Sequence, residues 1–299
     1  MLHARRFLPS LSLLSAFEAA ARTGSVTIAA RELDLTQSAV SRQIRALENQ
    51  LGVELFVRER QTIRLTLAGD AYAREIREAL RRISTASLNL RANPDGGTLT
   101  LAVLPAFGSR WLMPRLAGFL EHHRGMSVNL VTRLSPFDFK LDSIDAAIHF
   151  GDSIWPGAEL TPLMGERILP ACSPHFRDRH RLQQPGDFLQ VPLLHLTSRP
   201  DAWEQWLIGH GVPEPTVHGM LFDQFTAAAQ AAVAGLGVAL LPRFLFEEEL
   251  RRGDLVEAFQ DGEIDGGGRY FLACPTERLA YPPLAAFRDW IAAVAKEGG

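Results

Sequence analysis

Residues 36–45 carry polar side chains whose types and spacing suit contact with DNA. Apolar residues recur here at intervals of three and four, which predicts an amphipathic helix with one buried stripe: Val40, Ile44, Leu47 and Leu51. The opposite face has no acidic residue and presents Gln37, Ser38, Ser41, Arg42 and Arg45. Gln and Arg pair with base edges, and Ser reaches phosphates. Because these five residues span about 12 Å of helix, the face fits a major groove.

A shorter helix is predicted just before this one, over residues 26–33. Asp34 and Leu35 make the turn, and Thr36 is an N-cap candidate. Ala29 and Ala30 are small enough for the second helix to cross closely. The alternative is a helical hairpin whose polar face only meets water, and for an arbitrary helix pair that alternative is favoured. The small crossing residues, the capped helix and the acid-free face together favour a helix-turn-helix.

A two-stranded hairpin, or wing, is predicted to follow. Residues 55–59 and 63–67 flank a turn at 60–62, and the hairpin displays Arg58, Arg60 and Arg64. Charge is also uneven along the chain: residues 1–91 hold 14 arginines against 9 acidic residues, whereas the remainder holds 17 basic and 25 acidic residues. A basic N-terminal part suits a polyanion. The pattern predicts a winged helix-turn-helix over residues 1–66.

From residue 98 onward, apolar strands alternate with helices. Strands are expected at 98–104, 127–132, 145–150, 168–172, 193–196, 216–222, 237–241 and 270–274, and helices at 109–122, 201–210, 224–234 and 282–296. This alternation predicts parallel sheets with right-handed crossovers. Roughly 200 residues exceed one compact sheet of this kind, so we expect two α/β lobes with a cleft between them.

Composition excludes several classes of protein. Hydrophobic residues make up 46% and charged residues 22%, as in ordinary globular proteins. Cys172 and Cys274 cannot form a disulfide framework, and their apolar surroundings favour structural burial over redox sensing. An apolar stretch near the N-terminus is too interrupted for a secretion signal or a membrane helix. The nine histidines form no metal motif. We therefore expect a cytoplasmic protein with no metal, cofactor or membrane partner.

The whole chain resembles one family. ELDLTQSAVSRQIRALENQLGVELFVR followed by LTLAG closely resembles the N-terminal signature of LysR-type transcriptional regulators. The segments SRWLMPRL, DAAIHFGD, WPG and GLGVALLP are similar to the branch that contains the glycine-cleavage and β-lactamase regulators. The resemblance implies a DNA-binding domain over 1–66, a linker or dimerisation helix over 67–92, and a two-lobed, periplasmic-binding-protein-like effector domain over 93–299. Lobe I would comprise about 93–162 and 269–299, and lobe II about 163–268.

The resemblance also implies an assembly. The linker helix has a near-heptad apolar stripe, interrupted at Ser87, that would pair with a second chain: Tyr72, Ile76, Leu80, Ile83 and Leu90. Packing of this stripe against its own domain is the alternative, and we disfavour it because little sequence lies nearby to cover it. Homodimers would join through the C-terminal domains into homotetramers. The implied partners are double-stranded promoter DNA and a small-molecule effector, with RNA polymerase as a further candidate.

Effector contacts in the related β-lactamase regulators map onto four segments of this sequence. They fall on Ala106, Phe107, Ser109, Ser135, Asp138, Gln224, Phe225 and Tyr270. His195 is added because it lies near a strand end, although a structural histidine is the alternative. A helix start at 224 favours an anionic or zwitterionic ligand, whereas Asp138 among aromatic residues would select a cation. An amino acid, a betaine-like molecule and an organic acid all stay open.

Two other classes of function compete with the ligand-responsive transcription factor. The first is a solute-binding protein of periplasmic type that uses residues 98–299 alone, and the predicted winged helix argues against it. The second is an enzyme, for which no GxSxG, P-loop or paired catalytic carboxylate is found. A DNA-binding regulator that is not an enzyme is therefore the favoured reading.

Overall fold

The computed structural model describes residues 7–59, 62–92, 97–140 and 142–297, and the chain forms two compact units, 1–94 and 95–299. The first unit contains four helices and a hairpin in its described part. These are α1 (Leu11–Thr23), α2 (Val26–Glu32), α3 (Gln37–Leu51), β1 (Phe56–Glu59), β2 (Thr62–Leu65) and α4 (Leu67–Ala92). Strands β1 and β2 pair antiparallel. The element order is that of a winged helix-turn-helix followed by a long helix.

Local hydrogen bonds and glycines set the bounds of the short helices. The Thr36 hydroxyl accepts from the Ala39 amide at 3.2 Å, which confirms the predicted N-cap of α3. Ser25 does the same for α2. Gly24 and Gly52 end α1 and α3 with φ values of 65° and 70°, a backbone conformation that glycine adopts without steric penalty.

The core of the first unit forms where α1, α3 and the hairpin meet α4. Three residues of the predicted α3 stripe are buried, Val40, Ile44 and Leu47, while Leu51 is half-buried. Phe17 of α1 is fully buried among them. The rows of small residues on α1 and α2 allow this close packing, because Ala16, Ala20, Ala29 and Ala30 are also buried.

Helix α4 divides into a covered part and an exposed part. Ala73 and Ile76 are buried and Tyr72 and Leu80 half-buried against the core of their own unit. The expectation that nothing nearby would cover this part of the stripe is therefore wrong, because α1 packs along it. Beyond Leu80, the stripe is solvent-exposed: Ile83 is 48% and Leu90 67% accessible.

The second unit is built on one curled nine-stranded sheet. Its strands are β3 (Thr98–Val103), β4 (Ser127–Thr132), β5 (Ala146–Gly151), β6 (Ala158–Cys172), β7 (Leu193–Leu196), β8 (Gly219–Phe222), β9 (Val238–Pro242), β10 (Val256–Glu257) and β11 (Ile264–Pro275). Their order is β4-β3-β5-β11-β6-β9-β7-β8, with β10 beside β6. The helices are α5 (Met113–His122), α6 (Pro174–His180), α7 (Ala202–Gly209), α8 (Phe225–Val233), α9 (Glu247–Arg252) and α10 (Pro282–Glu297).

Two long antiparallel strands join two groups of parallel strands. Strands β3, β4 and β5 form one parallel group, and β7, β8 and β9 the other. Strand β11 pairs with both β5 and β6, and β6 also pairs with β9. Both joining strands are longer than the sequence pattern predicted, because the alternation at the start of β6 is broken at Pro162 and the first part of β11, IDGGGR, has none. The residues of the candidate effector site lie where these two strands cross from one group to the other.

Candidate functional site

The outer face of α3 is open to solvent in the way that DNA reading requires. Thr36, Gln37, Ser38, Arg42 and Arg45 are exposed, and Ser41 is half-buried. The Thr36 and Ser38 hydroxyls lie 3.0 Å apart at the start of the helix. Within the described residues, neither Arg42 nor Arg45 forms an ion pair. Their guanidinium groups are available to phosphates or base edges.

The hairpin is fixed to α3 by a carboxylate that the sequence analysis did not identify. Glu48 Oε1 accepts hydrogen bonds from the backbone amides of Leu55 and Phe56 at 2.9 and 3.2 Å. Arg64 of β2 is exposed and faces Val57 in register. Arg58 is part of β1, and Arg60 lies outside the described residues. The wing is thus held in a defined position relative to the helix that precedes it.

In the second unit, Phe107 and Tyr270 stack at the crossing of the long strands. Their ring centroids are 4.9 Å apart, and both side chains are buried, with residual exposures of 0% and 2%. Phe244 lies edge-on to both rings, at 6.4 and 5.6 Å. Phe107 also contacts Trp111 in the π-helical turn before α5, at 4.8 Å. The site predicted around Phe107 and Tyr270 is therefore occupied by the chain's own aromatic rings.

A buried ion pair adjoins this stack. Glu166 of β6 is fully buried at its side chain and pairs with Arg199, whose Nη1 donates to Oε1. The Tyr270 hydroxyl donates to Oε2 at 3.0 Å. Burial raises the pKa of Glu166, and the charge of Arg199 and the hydrogen bond from Tyr270 oppose that rise. Sequence reasoning missed both charged residues, although an acid between the apolar residues Met164 and Ile168 is a signal that could have revealed one of them.

Arg199 links this ion pair to aromatic residues of both strand groups. Its guanidinium carbon lies 4.4 Å from the ring centroid of Phe150 on β5 and 4.9 Å from that of Phe225, the first residue of α8. Gln224 occupies the N-cap position of α8. The structure thus brings Phe107, Phe225 and Tyr270 of the predicted site into one network.

A glycine bulge in β11 makes room for the network. The register between β11 and β6 shifts between Asp265 and Arg269. A Cβ on Gly266 would lie 2.5 Å from Glu166, and one on Gly268 would lie 2.6 Å from the Phe150 ring. Between them, Gly267 has a φ of 73°, which other residues rarely adopt. Gly266 and Gly268 are required by the close approach of these two side chains, and Gly267 by its backbone conformation.

Other predicted effector residues lie elsewhere. Ala106 is buried beside Phe107, and Ser109 is exposed, with its hydroxyl donating to the Pro105 carbonyl at 2.8 Å. Ser135 lines a small cavity that Phe150 shares. His195 is half-buried on β7, next to Leu194.

Asp138 lines a separate cavity. It is exposed, and its Oδ1 accepts from the Lys140 amide at 2.9 Å. The cavity has a volume of about 160 Å³ and is also lined by Arg278 and Glu277. None of the residues around it belongs to the Phe107–Tyr270 stack. The structure therefore does not bring Asp138 together with Phe107, Phe225 or Tyr270.

Both cysteines are buried, as the sequence analysis expected. Burial raises the pKa of Cys172 and of Cys274 to about 12, so both thiols stay protonated near neutral pH. Within the described residues, no three His, Cys, Asp or Glu side chains are grouped to hold a metal ion. None of the helices in that part of the chain is long and apolar enough to span a bilayer.

A winged helix-turn-helix with an open basic helix face, followed by an α/β unit in which two long strands join two groups of parallel strands, defines a class of ligand-responsive DNA-binding regulators. Residues 11–70 match the model of the bacterial regulatory helix-turn-helix protein, lysR family, and residues 92–296 match the LysR substrate binding domain. The chain belongs to the LysR family of transcriptional regulators, as the sequence resemblance indicated.

Individual relatives agree with this assignment over nearly the full length. The glycine cleavage system transcriptional activator of Escherichia coli K12 is 37% identical over 290 residues, covering 96% of this chain and 94% of that protein. The transcriptional activator AmpR of Rhodobacter capsulatus is 36% identical, covering 94% and 96%. The effector domain of AmpR from Pseudomonas aeruginosa superimposes with a TM-score of 0.61 at 30% identity, covering 67% of this chain and 95% of that one.

Proposed function

We propose that this regulator acts in the cytoplasm, without enzymatic activity, by reading promoter DNA through α3 and responding to an effector bound beside Phe107 and Tyr270. The single observation that carries the DNA-reading part is the exposed, acid-free face of α3. The proposed domains are 1–66 for DNA, 67–92 for dimerisation and 93–299 for the effector. The solute-binding alternative leaves residues 11–70, which match the DNA-binding model, without a role. RNA polymerase is the candidate partner for activation.

Substitutions on α3 are expected to weaken specific DNA binding selectively. Gln37→Ala or Arg42→Ala should reduce the affinity for a specific site by about 1–3 kcal/mol, because each removes a side chain able to pair with a base edge. Affinity for random DNA should change much less. Gel shifts on a specific fragment and on random DNA, each at several salt concentrations, measure both quantities.

Arg64→Ala on the wing is the matched control. Loss of a phosphate contact should weaken binding to specific and random DNA alike and flatten the dependence of affinity on salt concentration. If all three variants lose the same affinity on random DNA, α3 does not read bases.

The exposed part of α4 supports the proposed assembly. Ile83 and Leu90 of the apolar stripe are 48% and 67% accessible on a helix that is covered only in its first half. A second copy of α4 would bury these side chains. We propose that two chains pair here and that dimers join into tetramers through residues 93–299.

Ile83→Asp is expected to dissociate the dimers, because it places a charge in a stripe that would otherwise be desolvated. Light scattering at micromolar concentration should then give a lower mass than for the unsubstituted chain. Thr85→Asp, two residues away and off the stripe, should leave the mass unchanged. A monomeric mass for the unsubstituted chain would refute the assembly.

The proposed effector site comprises Phe107, Phe225 and Tyr270, with Gln224 adjacent. These residues come from the segment after β3, the start of α8 and strand β11, so they contact elements of both strand groups. Because Phe107 and Tyr270 are buried against each other, a ligand would bind at the edge of this stack, beside the half-buried Gln224 and Phe225. Such a ligand would favour one arrangement of the strand groups, and its effect on DNA binding cannot exceed its differential affinity for those arrangements.

A further inference from the structure

We propose that Arg199 anchors the carboxylate of the effector, and that the proposed effector site takes monocarboxylates with an apolar or aromatic body. This inference rests on the proposed function, because it assigns a ligand class to the same site. Arg199 was not among the residues expected at the site. It is joined to the Phe107–Tyr270 stack through Glu166, which accepts a hydrogen bond from the Tyr270 hydroxyl.

Most of the hydrogen-bonding capacity of Arg199 is unused. A guanidinium has five N–H donors in a planar fork that matches a carboxylate. Within the described residues, the only hydrogen bond of the Arg199 guanidinium runs from Nη1 to Glu166. The side chain is 16% exposed, so part of it reaches solvent. The donors at Nε and Nη2 are therefore open to a ligand that enters from outside.

Two aromatic rings restrict how a ligand approaches this guanidinium. Phe150 and Phe225 lie against it at 4.4 and 4.9 Å. Contacts of this kind cover the flat faces of the guanidinium and leave the N–H groups at its edges able to form hydrogen bonds. A carboxylate can receive two parallel hydrogen bonds at such an edge, while the rings present apolar surface to the rest of the ligand. A ligand cation would instead meet a like charge.

Glu166 acts as a positioning residue. It holds Nη1 of Arg199 and is itself held by the Tyr270 hydroxyl, and it packs so closely on Gly266 that a Cβ there would lie 2.5 Å from it. Its negative charge also offsets that of Arg199, which limits the attraction of the guanidinium for a second carboxylate. Removing this charge while keeping an acceptor should therefore strengthen carboxylate binding.

Calorimetric titration of the full-length chain with benzoate and phenylacetate tests the proposal, with benzamide and phenylacetamide as neutral probes. The unsubstituted chain should bind the carboxylates and not the amides. Glu166→Gln, which keeps an oxygen acceptor for Nη1, should tighten carboxylate binding about tenfold by leaving the guanidinium charge uncompensated. Arg167→Met, which removes an exposed arginine next to Glu166, should leave binding unchanged.

Removal of Arg199 should abolish carboxylate binding. Because Arg199→Met alone leaves Glu166 buried without a cation, the double variant Glu166→Gln with Arg199→Met is used, and its fold is checked by hydrogen exchange of peptides from β5 and β9. Carboxylate binding should be lost in this variant. Equal binding to the double variant and the unsubstituted chain, equal binding of acids and amides, or no binding of either acid would each overturn the proposal.

The failure of this inference and the failure of the proposed function are distinguishable. If the acids bind through Arg199 without changing the DNA footprint, the assignment of Arg199 as the carboxylate anchor is correct and the proposed regulatory role of this site is wrong. If the footprint responds to a non-acidic molecule that binds without Arg199, the regulatory site is correct and the carboxylate anchor is wrong.

Discussion

Phe17→Ala is expected to lower the free energy of unfolding of the DNA-binding unit by about 3–5 kcal/mol. Phe17 is fully buried, and its ring lies 5.5 Å from both Phe56 of the hairpin and Tyr72 of α4. The substitution leaves a cavity where α1, the hairpin and α4 meet. Since a domain is stabilised by only about 5–15 kcal/mol in total, specific DNA binding should be largely lost at 37 °C.

Hydrogen exchange of peptides from residues 11–76 in the full-length chain measures this loss for the first unit alone. Protection should fall throughout these peptides in Phe17→Ala and stay unchanged in peptides from β5 and β6. Leu11→Ala, at a position that is 52% exposed, is the control and should cost no more than about 0.5 kcal/mol. Undiminished protection in Phe17→Ala would contradict the packing of α1 against the wing and α4.

Arg199→Met is expected to destabilise the second unit by about 3–5 kcal/mol at pH 8, because it leaves the buried Glu166 carboxylate without its cation. Within the described part of the chain, the Tyr270 hydroxyl would be the one hydrogen-bond donor left to Glu166, and Asp265 adds an unfavourable charge. Arg167→Met removes an exposed ion pair to Glu263 at 3.6 Å and should cost less than about 1 kcal/mol.

The loss of stability in Arg199→Met should become smaller as the pH falls. Burial already raises the pKa of Glu166 above its value in the unfolded chain, and removal of Arg199 raises that pKa further. Between the unfolded and folded pKa values, the folded state binds the extra proton, so stability increases as the pH decreases through the folded value. Urea unfolding at pH 8 and at pH 5 tests this. A deficit that is equal or larger at pH 5 would contradict a buried, ion-paired Glu166.

The DNA-binding unit was predictable because its signals are local. The stripe through Val40 and Ile44, the cap at Thr36 and the turn glycines are each encoded within one or two helical turns, and the structure places them as expected. The partial covering of α4 was not predictable, since it depends on α1, which lies about 60 residues earlier in the chain.

The candidate effector site was only partly predictable, because its side chains come from distant parts of the sequence. Phe107, Phe225 and Tyr270 were expected through family resemblance, but Glu166 and Arg199 are 33 residues apart and Glu166 and Tyr270 are 104 apart. They meet only because β6 and β11 are long and pair across the glycine bulge. The strand pattern of β6 is broken by Pro162 and that of β11 by three glycines, so these extensions were not predicted as strands.

The central claim is that α3 reads DNA sequence. Selection of genomic fragments by the full-length chain, followed by sequencing, tests it most directly. The unsubstituted chain should enrich a partial dyad whose half-sites lie about one helical turn, ~34 Å, apart, whereas the Gln37→Ala with Arg42→Ala variant should bind DNA without enriching that motif. Recovery of the same motif by both proteins, or of no motif by the unsubstituted chain, would contradict the account.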